Sequence, residues 1–339
     1  MKPFAYLRAR TTAEAVRARS AHPGAAFLGG GTNLVDLMKL GVQAPDLLID
    51  ISGLPLDEVT ETDDGGLRIG AAVRNSDLAA HPAVRTRYPA LSQALLSGAC
   101  GQLRNTATTG GNLLQRTRCP YFQDVSKPCN KRAPGTGCPA REGAHRDLAV
   151  LGHSEHCVAT HPSDMAVALS ALGATVELRG PDGERAVPAA EFHRLPGDAP
   201  HRDTEIRPDE LVTGVTLPPL PDGADSLYRK ARDRASFAFA LASVAAVLSV
   251  RDGRIAHAAL AFGGLAHRPW RAHGAEEVLR GAPATRETFA RAADAGLAAA
   301  RPLRDNAFKV GLARSLAVDA LSELAVGGGN NRSHTDPQT

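Results

Sequence analysis

The sequence lacks three features that would assign it to a common class of protein. Its 39 Lys and Arg residues nearly balance 36 Asp and Glu residues, so the net charge of +3 indicates no basic surface for nucleic acid or membranes. The longest nearly apolar run, residues 237–250, is shorter than the ~20 residues that a transmembrane helix requires. The N-terminal residues 1–8 lack the apolar stretch of a secretory signal, which predicts a cytoplasmic location.

The length of 339 residues predicts about two domains at ~100–200 residues each. Short apolar strands alternate with helical patterns in the first half, and we place the domain boundary in the proline-rich segment 217–223. We predict helices over residues 12–20, 34–40 and 164–172, and strands over 25–28, 47–51, 67–73 and 175–178. Asn75-Ser76-Asp77 is expected to cap a further helix.

The second half is predicted to contain antiparallel strands followed by helices. Residues 237–250 and 255–262 are interpreted as strands joined by a turn at Arg251-Asp252-Gly253, although the alanine-rich first run could be partly helical. Three Ala-rich helices are predicted over residues 275–280, 286–300 and 307–324. The polar, glycine-rich tail at 327–339 is predicted to be disordered.

A glycine-rich turn, Gly29-Gly30-Gly31-Thr32-Asn33-Leu34, joins a strand to a helix. Backbone N–H groups without obstructing side chains at a helix start can bind a phosphate or pyrophosphate. The turn lacks the third glycine of the dinucleotide fingerprint and the Lys-Ser or Lys-Thr pair of a Walker loop. From the residues alone, an anion site and an ordinary strand-to-helix turn remain equally open.

A second segment, residues 98–112, combines glycines with hydroxyl and amide side chains and has almost no bulky residues. Such a stretch lets the backbone approach a ligand while Thr and Asn side chains supply hydrogen bonds. It could equally be a tight loop rich in side-chain turns. Two glycine-rich loops some seventy residues apart favour one extended ligand contacted by both.

Four cysteines, Cys119, Cys129, Cys138 and Cys157, lie within the irregular segment 119–157 at the spacing C-x9-C-x8-C-x18-C. Four thiolates can bind either zinc or a 4Fe-4S cluster. The absence of C-x2–4-C pairs favours the cluster, although zinc stays open and a nearby histidine could replace a thiolate. The fifth cysteine, Cys100, is interpreted as a small buried residue of the second glycine loop.

Two shorter motifs each have a structural and a functional interpretation. In His161-Pro162-Ser163-Asp164, Ser163 or Asp164 would cap a helix, or Asp164 would accept a hydrogen bond from a ligand hydroxyl. The cations in Tyr228 to Arg234 would form a solvated surface, or Lys230 would reach into an inter-domain cleft.

Taken in order, these motifs resemble the FAD-binding subunit of molybdenum hydroxylases, the xanthine dehydrogenase and carbon monoxide dehydrogenase medium-chain family. The resemblance rests on the turn at 29–34, the loop at 102–112, His161 to Asp164, Tyr228-x-Lys230-x-x-x-Arg234 and the segment 262–272. It extends to about Ala325. The cysteine segment resembles the insertion of the periplasmic aldehyde oxidoreductase type, whose flavin subunit carries its own 4Fe-4S cluster.

The resemblance implies an α+β fold: a two-subdomain PCMH-type FAD-binding domain at 1–217, with an iron–sulfur insertion at 119–157, and a C-terminal domain of antiparallel sheet and helices at 223–326. FAD would lie extended between the domains, with its pyrophosphate on the first turn, Thr108 to Asn112 and Asp164 at the ribityl and ribose, and Lys230 near the isoalloxazine. The implied FAD-binding residues are Phe27, Leu28, Gly29, Gly30, Gly31, Thr32, Asn33, Leu34, Arg104, Thr108, Thr109, Gly110, Gly111, Asn112, Asp164 and Lys230. The implied cluster ligands are Cys119, Cys129, Cys138 and Cys157.

The resemblance also implies partners and a role. Aldehyde oxidation would occur at a molybdenum cofactor in a large subunit, and electrons would pass through 2Fe-2S clusters in a small subunit to this flavin and then to an acceptor. The chain would thus belong to a heterotrimer, and we assign it no catalytic residue. The family type it most resembles is exported with a signal-bearing partner, so a periplasmic location stays open.

Two other functions compete with this interpretation. One is a stand-alone flavoenzyme of the UDP-sugar enolpyruvate reductase type, which needs a substrate domain with its own proton donor. The other is a zinc-stapled scaffold without a redox role. No matching motif for the first occurs in the second half of the sequence, and metal analysis separates the second.

Overall fold

The computed structural model describes residues 1–330, which contain three β-sheets with helices packed on them. The strands are β1 (Ala5–Arg8), β2 (Ala25–Leu28), β3 (Leu47–Asp50), β4 (Val59–Glu61), β5 (Leu67–Gly70), β6 (Thr175–Gly180), β7 (Gly183–Pro188), β8 (Leu211–Leu217), β9 (Ala224–Ala231), β10 (Ala242–Arg251), β11 (Arg254–Gly263) and β12 (Trp270–Arg271). The helices are α1 (Thr12–Ala21), α2 (Leu34–Lys39), α3 (Asn75–Ala80), α4 (Pro82–Arg87), α5 (Pro89–Ser97), α6 (Gly101–Arg104), α7 (Thr109–Leu113), α8 (Pro120–Gln123), α9 (Asp164–Ala171), α10 (Ala189–Phe192), α11 (His273–Leu279), α12 (Arg286–Leu297) and α13 (Phe308–Asn330). The α+β class is thereby confirmed.

The first sheet is parallel, with the order β1-β3-β2, and the predicted strands at 25–28 and 47–51 both belong to it. Helix α1 begins as the sequence predicts, because the Thr11 side chain accepts a hydrogen bond from the Glu14 amide. The turn after β2 leads directly into α2. The carboxyl end of β2 therefore presents the glycine-rich turn at an edge of this sheet.

The second sheet has the order β4-β5-β8-β6-β7, with antiparallel pairing throughout. Its buried face packs against helices α3, α5 and α9, whose apolar residues form one large core with Ile69, Val176 and Val215. The central strand β8 was not predicted, because it runs directly into the proline-rich segment that the sequence analysis treats as a domain boundary. This sheet carries the second glycine-rich loop and helix α9.

The third sheet has the order β12-β11-β10-β9 and is covered by α11, α12 and α13. Asp252 and Gly253 have φ angles of 50° and 72°, which gives the predicted turn its tight left-handed geometry. The strand predicted over 237–250 is only partly correct, since β10 begins at Ala242. Phe237 has a φ of 55°, which is incompatible with an extended strand, and residues 237–241 form a loop instead.

Three further expectations need correction or fall outside the described part. Arg74, rather than Asn75, occupies the N-cap position of α3, and it makes no side-chain cap. Strand β5 ends at Gly70, three residues earlier than predicted. Helix α13 continues to Asn330, so the start of the predicted tail is helical, while residues 331–339 lie outside the described residues.

The segment 119–157 has little regular structure, as predicted, and is attached to the C-terminal half by buried polar side chains. The Lys309 ammonium donates hydrogen bonds to the carbonyls of Asp147, Leu148 and Gly264 at 2.6–2.9 Å. Asn306 donates to three carbonyls of the same segment. Burial lowers the pKa of Lys309 to about 7. These contacts fix a segment whose only α-helix among the described residues is the single turn α8.

Of the helices in residues 1–330, none combines the length and apolar character needed to cross a bilayer.

Candidate functional site

Two adjoining cavities of about 230 Å³ each form a continuous cleft, and Thr32, Asn33 and Gly111 line both. Of the sixteen residues predicted to bind FAD, all but Leu28 and Thr109 line this cleft. They come from four separate segments: the turn after β2, the segment 104–112, the start of α9, and β9. The fold thus brings together residues up to 203 positions apart, Phe27 and Lys230.

The first wall of the cleft is the glycine turn at 29–34, which lies against the backbone of the second loop. A Cβ atom at Gly30 would lie 2.0 Å from the Thr106 carbonyl oxygen. Gly31 has a φ of 73°, a conformation that glycine adopts without strain. Both glycines are therefore required by the backbone path. The two glycine-rich loops therefore lie side by side, so that one extended ligand could contact both.

The second wall is helix α7 with the residues that precede it. Thr108 caps this helix, because its Oγ1 accepts a hydrogen bond from the Gly111 amide at 3.2 Å. The Asn112 Oδ1 accepts from the Ser163 hydroxyl at 2.6 Å and from the side-chain Nε2 of Gln115 at 2.8 Å. Thr109 lies behind the wall, where its hydroxyl donates to the Val73 carbonyl. These bonds fix the loop before any ligand binds.

Arg104 and Cys100 complete this wall in different ways. The Arg104 guanidinium donates to the Gly98 carbonyl at 2.8 Å, so it braces the loop at the cleft edge. Cys100 was expected to be buried, but it is partly exposed and lines the cleft. Its sulfur accepts a weak hydrogen bond from the Leu103 amide as the N-cap of α6. The adjacent Ala99 has a φ of 50°, a left-handed conformation that is uncommon for a residue other than glycine.

A buried ion pair joins the two halves of the chain at the inner end of the cleft. Lys230 Nζ lies 2.7 Å from Asp164 Oδ2, and both side chains are at least 93% buried. The Tyr228 hydroxyl donates to Asp164 Oδ1 at 2.5 Å, and the Ser163 side chain caps α9. Burial, together with the neighbouring Asp164 carboxylate, holds the pKa of Tyr228 well above its usual value. Lys230 therefore reaches into the cleft between the two halves of the chain and does not belong to a solvated surface.

Two polar atoms on the cleft wall lack a partner within the described chain. Asn33 Nδ2 and Asn75 Oδ1 are buried without a hydrogen bond, although Asn33 Oδ1 accepts from the Arg116 amide. A donor and an acceptor left unpaired in one cleft are costly unless a ligand satisfies them. Together with the glycine backbone at Gly30, they fit a long polar ligand such as FAD.

Several cleft residues were not identified from sequence: Asn75, Gln115, Arg116, Arg118, Phe237 and Phe239. Arg118 stacks on the Phe239 ring, with its guanidinium carbon 4.9 Å from the ring centroid. Phe237 and Phe239 are 62% and 50% exposed, which is unusual for phenylalanine. Apolar side chains inside an apolar run give no sequence signal for such exposure.

The four predicted ligand cysteines line one small cavity in the insertion, whereas Cys100 does not. Burial raises the pKa of Cys119 to about 11. A hydrogen bond from Cys157 lowers the pKa of Cys138 to about 6 and raises the pKa of Cys157. Across residues 1–330, no three or more His, Cys, Asp or Glu side chains are grouped closely enough to hold a metal ion.

A further cavity of about 240 Å³ lies between the cleft and the cysteine cavity. Asp164, Arg118 and Phe239 line it from the cleft side, and Cys119 lines it from the insertion. Because Arg118 and Cys119 are consecutive, a single peptide unit connects a residue of the cleft to a cysteine of the insertion. The two candidate sites are therefore neighbours in the fold.

We expect acid to destabilise the protein through His193, which lies behind the second wall. Its Nε2 donates to the Leu113 carbonyl at 2.9 Å, and its ring packs 4.0 Å from that of His161. Burial lowers the pKa of His193 from 6.5 to about 4. The unfolded chain therefore takes up a proton near pH 6.5 and the folded chain only near pH 4. The free energy of unfolding should fall over this range, by up to about 3 kcal/mol from this group.

Urea unfolding at pH 7 and pH 5 measures this effect. Between pH 7 and pH 5, the free energy of unfolding of His193→Gln should fall by about 2 kcal/mol less than that of the unmodified chain. The exposed His201 provides the control, and His201→Gln should behave as the unmodified chain does. An equal decrease in the free energy of unfolding in all three proteins would show that His193 does not cause the acid destabilisation.

Comparison with known proteins agrees with this geometry. Residues 2–220 match the FAD binding domain in molybdopterin dehydrogenase, and residues 226–324 match the CO dehydrogenase flavoprotein C-terminal domain. The chain is 54% identical over 326 residues to the aldehyde oxidoreductase FAD-binding subunit PaoB of Escherichia coli K12, covering 95% of this chain and 98% of the relative. It is 29% identical over 278 residues to the glyceraldehyde dehydrogenase medium chain of Sulfolobus acidocaldarius, covering 82% and 81%.

A solved structure shares the whole fold. The carbon monoxide dehydrogenase of Hydrogenophaga pseudoflava superposes with a TM-score of 0.76 at 26% identity, covering 97% of this chain and 99% of that chain. Two matched domains, a relative at 54% identity and a shared fold lead to one conclusion. The chain belongs to the FAD-binding subunits of the molybdenum hydroxylase family and is an oxidoreductase subunit.

Proposed function

We propose that this chain is the FAD- and 4Fe-4S-containing electron-transfer subunit of a molybdenum-dependent aldehyde oxidoreductase. Electrons would arrive from a large molybdenum subunit through the 2Fe-2S clusters of a small subunit, pass through FAD and leave to an external acceptor. The observation that carries the proposal is the single cleft formed by four distant segments that were each predicted to bind FAD. The names of two relatives, an aldehyde oxidoreductase and a glyceraldehyde dehydrogenase, support an aldehyde as the substrate class.

The residues of the cleft would bind and orient the flavin. The exposed amides of the turn at Gly29–Leu34 are suited to the pyrophosphate, since no side chain obstructs the backbone there. Asn33 and Asn75 would use their unpaired amide atoms on the ligand, and Lys230 would place a positive charge beside the ring system. When bound, FAD supplies the exchange between one-electron and two-electron transfer. The chain's own residues position the cofactor and set its electrostatic surroundings.

The cluster would be held by Cys119, Cys129, Cys138 and Cys157. Support comes from their common cavity, from its lining, which among the described residues contains no carboxylate, and from the neighbouring Lys131. The Lys131 ammonium also pairs with Asp203, so its positive charge would be shared between that carboxylate and the thiolates around a cluster. When bound, such a cluster supplies one-electron transfer. Because Cys119 and Asp164 line one cavity, the two proposed cofactors would be neighbours.

The stand-alone flavoenzyme is not favoured, because residues 226–324 match the CO dehydrogenase flavoprotein C-terminal domain. A large and a small subunit as partners are consistent with the relatives described as medium chains or FAD-binding subunits. The metal content of the purified protein tests the remaining alternative, the zinc-stapled scaffold.

Cofactor analysis of the purified chain tests the proposal. Protein prepared without oxygen, with iron and riboflavin supplied, should contain one FAD and about four irons and four sulfides per chain. Its visible absorbance should bleach on reduction, and the large and small subunits should copurify with it. A colourless chain would overturn the whole proposal, and one zinc with bound FAD would overturn the cluster alone.

A further inference from the structure

Tyr228 lies next to the Asp164–Lys230 ion pair but outside the cleft lining. Tyr228 is 2% exposed, and its hydroxyl donates a hydrogen bond to Asp164 Oδ1. Phenols buried to this degree normally serve packing, with the hydroxyl satisfied by a nearby carbonyl. Here the acceptor is instead a carboxylate that faces the proposed flavin.

The geometry divides the two oxygens of Asp164 between two partners. Tyr228 and Lys230 stand two residues apart on β9 and so project from the same face of the strand. Tyr228 reaches Oδ1 at 2.5 Å and Lys230 reaches Oδ2 at 2.7 Å. Lys230 also donates to the Ser97 carbonyl at 3.1 Å, so the ammonium is held from two sides.

Tyr228 is itself held in register by the backbone around it. Its amide donates to the Gln93 side chain at 2.8 Å, and β9 pairs with β10 along its whole length. The ring is part of the large core beneath α5 and α9. The position of the phenol is therefore fixed by the backbone and the core and not by Asp164, so the phenol can orient the carboxylate.

We propose that Tyr228 is a positioning residue that acts through Asp164 to set the reduction potential of the bound flavin. This inference rests on the proposed function, because it requires FAD in the cleft. The hydroxyl withdraws negative charge from the carboxylate and fixes its second oxygen on Lys230. The cleft consequently presents a shielded carboxylate and an ordered ammonium to the flavin.

Removal of the hydroxyl has a signed consequence. In Tyr228→Phe, Asp164 Oδ1 is left without its donor in a buried site, so the negative charge of the carboxylate is less compensated and acts more strongly on the cleft. More negative charge beside the flavin disfavours the addition of electrons. The equilibrium constant for two-electron reduction of the flavin should fall about tenfold, which corresponds to a reduction potential about 30 mV more negative.

The test compares two buried tyrosines that each lose one hydroxyl. Tyr88 is 1% exposed and donates to the Pro218 carbonyl at 2.9 Å, away from the cleft. The flavin potential of the full holo-chain is measured by equilibration with redox dyes for Tyr228→Phe and Tyr88→Phe, together with the FAD dissociation constant and the thermal midpoint of both apo-chains. Only Tyr228→Phe should shift the potential, whereas both variants should lower the thermal midpoint.

The outcomes are distinguishable from those of the proposed function. A Tyr228→Phe chain that binds FAD with an unchanged potential overturns this inference and leaves the function intact, whereas no FAD in the unmodified chain overturns both. If Tyr228→Phe does not fold, Asp164→Asn decides the matter in the same measurement. Because it removes the carboxylate charge through which Tyr228 would act, it should shift the potential to more positive values. An unchanged potential in Asp164→Asn also overturns the inference.

Discussion

Gly30→Ala is expected to weaken FAD binding by up to roughly 100-fold while leaving the rest of the chain folded. The added Cβ would lie 2.0 Å from the Thr106 carbonyl oxygen, 2.8 Å from its carbon and 3.2 Å from the Ala107 Cα. All three atoms are backbone, so no side-chain rotation relieves the contact, and the two glycine-rich loops must separate. Overpacking of this kind costs about 1–3 kcal/mol, and at its upper end it weakens FAD binding roughly 100-fold.

Gly101→Ala is the matched control within the second loop. Its Cβ would meet nothing within 4 Å, and the residue begins α6, where Ala is favoured over Gly. Titration of both apo-chains with FAD, followed by flavin fluorescence, should show a weakened Gly30→Ala and an unchanged Gly101→Ala. Wild-type affinity in Gly30→Ala, with its thermal midpoint preserved, would show that contact between the loops is not needed for the cofactor.

The cleft could be predicted from sequence wherever a local pattern carries the information. The turn at Gly29–Leu34, the capped helix at Asp164 and the small residues at 108–112 are each recognisable within a few positions. Their order along the chain identified the family. That these segments meet in one cleft followed from the resemblance, and the structure brings fourteen of the sixteen residues to the cleft lining.

The parts that were missed depend on contacts between distant residues. Strand β8 pairs with β5 and β6, which lie about 145 and 35 residues earlier, and its own pattern gave no separate signal beside the proline-rich segment. Phe237 and Phe239 merge with an apolar run in sequence, yet a left-handed Phe237 ends the strand pattern and leaves both rings at the cleft. The role of Asn75 at the cleft depends on α3 packing beside the second loop. The periodicity of apolar residues predicts each helix or strand separately and does not predict contacts between distant elements.

Cys157→Ala is expected to lose the iron and keep the flavin. Cys157 is 5% exposed and lines the insertion cavity with Cys119, Cys129 and Cys138. With three thiolates left, one corner of a cubane has no protein ligand, and the surrounding segment has little regular structure with which to retain it. Iron should fall from about four per chain to fewer than one. Because metal binding stabilises the fold around it, the thermal midpoint should fall to that of the iron-free chain.

Cys100→Ala is the matched control, because it removes a thiol of the same domain that is not a proposed cluster ligand. Cys100 lines the flavin cleft and is absent from the insertion cavity, so its substitution should leave about four irons per chain. FAD should remain in Cys157→Ala, because Cys157 lines the cysteine cavity and not the cleft. Iron and flavin assays on both variants therefore resolve the two proposed cofactors independently. Full iron in Cys157→Ala would remove this cysteine from the ligand set, and joint loss of iron and flavin would show that the insertion is needed to form the cleft.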